Sequence, residues 1–346
     1  MKKEELYTTE GWIDSGKILH SRYPFTVAIG GRGIGKTYGC LRDLFNERIP
    51  FIYLRRTQNQ LDSITIDALN PYNQICRDYG YSITCEKMGK NAIGFYELVW
   101  DEETAKYIKG EPFALGIALS TFASIRGLSA ERFKVLLFDE IIPEKHERPI
   151  KEEGIAFANL LESLNRNREL TGDDPLKVVL LSNSNTLNSQ ILSSLGILKA
   201  VERMERTGKV YEVIQNSVEI VRYIDSPISE RKKNTALYKV VNSDEFKNMA
   251  LNNEFAADNF EYVQTKPLKE FKPVSSIGNV TVFKHRSQGY YYIIEGVHSP
   301  ERYGVTDHEK TAWCKKYFYV LNALFKRKVI FSSAYVKIEF ERLVLK

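Results

Sequence analysis

The sequence predicts an α/β fold: a mostly parallel sheet flanked by helices, followed by a smaller α+β domain. Three observations point there. Residues 24–185 hold at least five apolar strand-like runs separated by helical or inserted stretches. The glycine-rich string GGRGIGKT, Gly30 to Thr37, sits between one such run and a helical stretch. From about residue 256 the text changes to short strands with a hairpin between them, then a helical stripe. A chain of 346 residues is long enough for two domains, each with its own core.

Taken in order, residues 1–23 set Leu6, Tyr7, Trp12, Ile13, Ile18 and Leu19 among polar neighbours. They read as a short arm lying against the first domain, either near the nucleotide base or there merely to pack Trp12 in a core. PFTVAI (24–29) is a strand, and residues 38–46 coil as a helix. Between them, GGRGIGKT fits the phosphate-loop pattern of Gly, four residues, then Gly-Lys-Thr. Backbone N–H groups must close around phosphate oxygens there, which excludes bulky side chains at the glycines. Gly30, Gly31, Arg32, Gly33, Ile34, Gly35, Lys36 and Thr37 are therefore the expected nucleotide cradle. Lys36 would reach the β- and γ-phosphates, and the Thr37 hydroxyl would hold Mg²⁺. PFIYLRR (50–56) is a strand ending in Arg55 and Arg56. The carboxyl ends of strands in an open parallel sheet face the ligand crevice, so this pair faces nucleotide, a neighbouring subunit or nucleic acid, or simply forms salt bridges.

Residues 58–112 read as a β-hairpin insertion, with TCEKMGK and GFYELVW as strands and DEETAKYIKGE as a charged connection. ALGIALS (114–120) is a strand, and the loop TFASIRG after it contains Arg126. FKVLLFDE (133–140) has the continuous apolar core of a buried parallel strand and ends in Asp139 and Glu140. Asp139 would hold Mg²⁺ through water, and Glu140 would polarise the attacking water as general base. Lys151 to Leu170 is predicted as a helix with Phe157, Leu160, Leu161 and Leu164 on its apolar face. At about 100° per residue, Arg166 points roughly 200° from Leu164 and so looks outward. KVVLLSNSN (177–185) is another buried strand, whose Ser182 and Asn183 could sense a γ-phosphate. An extra strand between the phosphate-loop strand and the Asp-Glu strand, plus the glutamate itself, indicates the additional-strand catalytic-glutamate class of P-loop NTPase. The expected ligands are ATP and Mg²⁺; a GTPase would want an Asn-Lys-x-Asp base reader, which the sequence lacks. Residues 186–205 read as a closing helix. The expected domains are 1–205, a linker or lid subdomain at 206–255, and 256–346.

Composition narrows the class. At 43% hydrophobic and 27% charged, the chain resembles ordinary soluble proteins. No apolar run approaches the ~18 residues of a membrane span, and MKKEELYTTE lacks the apolar core of a secretory signal. Cys40, Cys76, Cys85 and Cys314 form no CxxC pair and read as reduced thiols in a cytosolic protein. The net charge is +5, yet residues 256–346 hold 15 Lys and Arg against 9 Asp and Glu. The basic excess therefore sits in the last quarter and suggests an acidic partner, nucleic acid first, or a merely solvating face.

In order, GGRGIGKT, FIYLRR, LSTFAS with a basic residue after it, VLLFDEII, LNRNRE, LLSN and SERKK resemble the phi-29-like phage DNA encapsidation ATPases of small protein-primed tailed phages. The likeness runs through residues 24–235; the last third is similar mainly in pattern. The resemblance implies an ATPase domain joined by a linker to an RNase H-like domain without nuclease activity. It implies a ring, taken as a pentamer, at the portal vertex of the procapsid in the host cytoplasm, driving double-stranded DNA inward. The expected partners are double-stranded DNA, the portal and procapsid, and a packaging RNA as a further candidate; which of these the end domain meets is not read from the sequence. Arg166 matches an arginine supplied in trans to a neighbour's site, and Arg126 matches a second basic position proposed to act across the interface. The basic residue that follows the Arg-Arg pair in the family is not matched near Gln58. The rival reading is a single-strand DNA helicase or translocase of the same ATPase class. Among candidate nuclease carboxylates, Glu295 and Asp307 are few and scattered.

Overall fold

Strands buried on both faces need no polar alternation, and the apolar runs of this chain satisfy that condition with a parallel sheet. The computed structural model describes residues 3–125, 130–143, 147, 150–184, 186–242, 247, 250–251 and 262–345. Its elements are α1 (Ser15–Leu19), β1 (Phe25–Gly30), α2 (Lys36–Asn46), β2 (Phe51–Arg55), α3 (Gln58–Ser63) and α4 (Asn73–Tyr79). There follow β3 (Ile83–Lys87), β4 (Ala92–Asp101), β5 (Lys106–Lys109), β6 (Ala114–Ala118) and β7 (Val135–Phe138). Next come α5 (Glu153–Asn165), β8 (Lys177–Ser182), α6 (Gln190–Ser194), α7 (Leu198–Thr207), β9 (Tyr211–Ile214), β10 (Val218–Tyr223), α8 (Pro227–Lys232) and α9 (Ala236–Val240).

The sheet order is β3-β4-β6-β2-β7-β8-β1-β10-β9, with β5 pairing β4. From β6 to β10 every pairing is parallel, and the outer strands β4 and β9 run antiparallel to their neighbours. Strand β8 lies between β1 and β7, so the phosphate-loop strand and the Asp-Glu strand are separated by one strand. The register is nearly level across the site: Ile29 pairs with Ser182, and Phe138 pairs with Leu54. The carboxyl ends of β1, β2, β7 and β8 therefore open on one crevice, where an open parallel sheet binds its ligand.

Three expectations change. The sequence ends the first domain at residue 205, but β9 and β10 continue the same sheet, with β10 parallel beside β1. Polar residues around this hairpin hide it from a hydropathy reading. The helix expected over 151–170 stops at Asn165, because Arg166 takes φ 48° and a short 3₁₀ turn (Arg168–Leu170) follows. The closing helix is two, α6 and α7, separated by Gly196 at φ 68°.

The chain divides into two units, Met1–Ala257 and Asp258–Lys346. In the second, β11 (Phe271–Ile277), β12 (Val280–His285) and β13 (Tyr291–Glu295) form an antiparallel meander. Strand β14 (Arg302–Tyr303) runs parallel to β11, and β15 (Val329–Phe331) runs parallel to β13 at the opposite edge. Helices Asp307–Lys316, Phe318–Phe325 and Ala334–Val344 complete the unit, whose core holds Trp313, Tyr317, Phe331 and Phe340. No helix among the described residues is long and apolar enough to cross a membrane.

Candidate nucleotide site

Strand β1 ends at Gly30, and the chain must turn at once into α2. Gly33 and Gly35 make that turn with φ 63° and 96°, in the left-handed region that disfavours any Cβ. Gly35 is the N-cap of α2, so the first N–H groups of the helix face the loop's concavity. Lys36 is buried, and its ammonium donates to the carbonyls of Gly30 (2.9 Å) and Gly31 (2.7 Å) and to Asn183 Oδ1 (3.0 Å). Burial pulls this lysine down to about 7, against the opposing pull of Asp139 and Glu140. The loop thus concentrates positive charge where an anion would relieve its desolvation.

Asp139 and Glu140 follow directly from β7. The Asp139 N–H donates to Leu54 O at 3.1 Å, which fixes its level beside the end of β2. One Asp139 oxygen accepts from Thr37 Oγ1 at 3.0 Å. The other accepts from Tyr53 Oη at 3.0 Å and from Arg55 Nη1 at 3.1 Å. Arg55 also donates through Nη2 to Glu140 Oε2 at 2.6 Å, so one guanidinium bridges both acidic side chains. Burial opposes the charge of Arg55, but Tyr53, Asp139 and Glu140 hold it firmly protonated. Glu140 has φ 59° and keeps 45% of its side chain exposed, whereas Asp139 keeps 8%. Lys36, Thr37, Asp139, Glu140, Ser182 and Asn183 line one cavity of about 310 Å³, with Arg32, Gly33, Gly35 and Tyr38. The paired hydroxyl and carboxylate oxygens of Thr37 and Asp139 are hard donors that suit Mg²⁺.

Arg55 is the residue that sequence reasoning left undecided. Its role as a bridge depends on β2 lying next to β7, which no local signal encodes. Arg56 takes the plainer course. It is 1% exposed and pairs with Glu153 (Nε to Oε1, 2.7 Å) and with Glu147. Arg166 is outside the cavity lining: it stands just past α5, 46% exposed, with Glu131 at 3.7 Å. Its outward placement arises from the break at the helix end rather than from a helix face. Arg168, by contrast, turns inward and donates to Ala130 O. Arg126 lies outside the described residues.

The model of the podovirus DNA encapsidation protein (Gp16) family matches residues 10–305. The DNA packaging protein of Bacillus phage phi29 is 27% identical over 310 residues, covering 87% of this chain and 81% of that protein. Its counterpart from Bacillus phage PZA is 26% identical over the same length, with the same coverage. Two solved structures share the fold, each with a TM-score of 0.66. One is the Phi-28 gp11 DNA packaging motor, 18% identical over 98% of this chain and 99% of that one. The other is the bacteriophage Phi-29 viral genome packaging motor assembly, 19% identical over 96% and 99%. With its family match spanning most of its length, this chain belongs to the podovirus DNA encapsidation protein (Gp16) family.

Proposed function

We propose that the chain is an ATP-driven motor subunit that moves double-stranded DNA into a viral procapsid. The observation that carries this is the convergence of Lys36, Thr37, Asp139, Glu140 and Asn183 on one cavity, in a chain of the encapsidation family. The phosphate-loop N–H groups and Lys36 bind the triphosphate. Thr37 and Asp139 would hold Mg²⁺, which when bound would neutralise charge on the phosphate oxygens. Glu140 takes the proton of the attacking water, and its half-exposed side chain at the cavity rim suits that task. Arg55 donates to Glu140 Oε2 at 2.6 Å, so Glu140 exchanges this partner for water when it acts. Asn183, which accepts from Lys36 and lines the cavity beside Ser182, is a polar group that would follow the state of the γ-phosphate.

The active assembly is a homo-oligomeric ring, taken as a pentamer, at the portal vertex in the host cytoplasm, where a packaging RNA is a further candidate contact. Arg166 acts from the neighbouring protomer: it is absent from its own cavity lining yet half-exposed on the same unit. Arg126 is proposed as a second cross-interface cation. The second unit is proposed to be an RNase H-like remnant without nuclease activity; its antiparallel meander with β14 parallel to β11 supports that ancestry. Its fifth strand, however, joins the meander at β13 rather than extending beyond β14. Glu295 ends β13, where it accepts from Asn279, and Asp307 opens a helix, so these carboxylates belong to separate elements.

The experiment is packaging itself. Procapsids with their portal, the purified chain, duplex DNA and ATP should yield DNA protected from DNase, and Lys36→Ala should abolish that protection. ATP hydrolysis stimulated by single strands but not by blunt duplex would favour a helicase instead.

A further inference from the structure

Next to the phosphate cavity lies a second, larger one of about 520 Å³, which shares Gly33, Gly35 and Tyr38 with it. Its other walls come from the N-terminal arm and from α2 and α4, notably Trp12, Arg42, Gln74 and Asp78. The arm folds into a small hairpin in which Tyr7 bridges Ile13. The Thr8 N–H donates to Trp12 O at 2.7 Å, and Gly11 turns the chain at φ 89°. The Ile13 N–H then donates to Ile34 O at 3.1 Å, tying the hairpin directly to the phosphate loop. From the other side, Arg231 of α8 donates to Glu10 O, and Pro227 packs on Gly11. The arm is thus a fixed wall and not a loose tail.

Trp12 is 46% exposed although its neighbours Leu6 and Ile13 are buried. A Cβ at Gly35 would lie 3.4 Å from its Cε3 atom, so the indole stands in contact distance of the helix start. The polar part of the cavity is held in place: Tyr38 donates to Asp78 at 2.6 Å, and Gln74 donates to the other Asp78 oxygen at 2.7 Å. A large aromatic surface kept open to a cavity beside a phosphate site has the chemistry of a base platform.

We propose that Trp12 is the surface on which the base of the bound nucleoside triphosphate stacks, with the arm hairpin forming one wall of the base subsite. The inference rests on the nucleotide reading of the phosphate loop. A base lying on the indole covers apolar surface that the arm otherwise leaves in water. Stacking also distinguishes a nucleotide from a bare polyphosphate, which touches only the neighbouring cavity.

The test compares Mg·ATP with Mg·tripolyphosphate, binding to the full chain by calorimetry. Trp12→Ala should weaken ATP by about tenfold to a hundredfold, the size of base–aromatic stacking, and leave tripolyphosphate affinity within about twofold. Trp12→Phe should retain most of the ATP affinity. Equal ATP affinity for wild type and Trp12→Ala would overturn the proposal. Equal weakening of both ligands would also overturn it, because Trp12 would then be supporting the loop at Gly35. If the wild-type chain binds neither ligand, the nucleotide reading itself fails and takes this one with it.

Discussion

Replacing Arg55 by methionine removes the guanidinium that joins both acidic side chains of the site, and the structure sets the size of the effect. The Arg55–Asp139 arm is largely buried on both sides, at 14% and 8% exposure. A charge-assisted bond of that kind is worth about 1.5–3 kcal/mol. The Glu140 arm ends on a side chain 45% exposed, so solvent screening limits it to below about 1 kcal/mol. Asp139 keeps Thr37 and Tyr53 as donors, which spares it the full penalty of an orphaned buried charge. The nucleotide-free variant should therefore lose about 2–4 kcal/mol, or roughly 5–15 °C in the melting of the first unit. Methionine fills similar volume, so cavity formation adds little. The deficit should shrink when Mg·ADP is added, since the Thr37–Asp139 pair then has a cation of its own. Differential scanning calorimetry with and without Mg·ADP reads both numbers. A loss under about 1 kcal/mol, or a deficit that Mg·ADP leaves untouched, would refute the reasoning about the bridge.

Other outcomes follow from the same geometry. Lys36 is pulled down to about 7 by burial, and the phosphates of ATP should raise it again. At pH 8 the free lysine is mostly neutral, so binding should take up close to one proton, and affinity should fall by up to about tenfold per unit as pH rises further. Calorimetry in buffers of different ionisation enthalpy measures this, and an uptake of zero would contradict it. Arg56→Met strands Glu153 and should cost about 3–5 kcal/mol in chemical denaturation; adding Glu153→Leu should recover most of it, and failure to recover would mean the pair is not the source. Duplex DNA binding should weaken steeply with salt and vary little with sequence, as titrations between 50 and 200 mM salt on unrelated duplexes would report; a marked sequence preference would argue against backbone contacts.

Much of the candidate site is legible in the sequence, because its residues are consecutive with strands that announce themselves. Gly30 to Thr37 and Asp139-Glu140 each follow an apolar run, and the parallel sheet brings such strand ends together. What escaped is whatever depends on strand order. Arg55 meets Asp139 only because β2 and β7 are neighbours, and its text, two arginines ending a strand, gives no hint which one turns to the site. In fact Arg55 bridges Asp139 and Glu140 without lining the cavity itself, while Arg56 is buried against Glu153 and Glu147. Strand β10 was missed for another reason: its sequence, VEIVRY, carries Glu219 and Arg222, both buried. Arg222 donates to Met204 O and pairs with Glu205, which is what lets a charged residue sit inside the sheet. The end of α5 is not legible from apolar periodicity either: Arg166, which leaves the helical geometry, is itself a good helix former, and only the flanking Asn165 and Asn167 signal a stop.

Completion of the site by a neighbouring protomer is open to direct test. Two crippled chains can be mixed: Arg166→Ala, which keeps Glu140, and Glu140→Gln, which keeps Arg166. Each alone should bind ATP and hydrolyse it on the order of a thousandfold or more below wild type in the DNA-stimulated assembly. Mixed, they should regain a substantial part of the turnover, because a Glu140 in one protomer meets an Arg166 from the next. Normal hydrolysis by Arg166→Ala alone, or no recovery at any mixing ratio, would contradict the shared site.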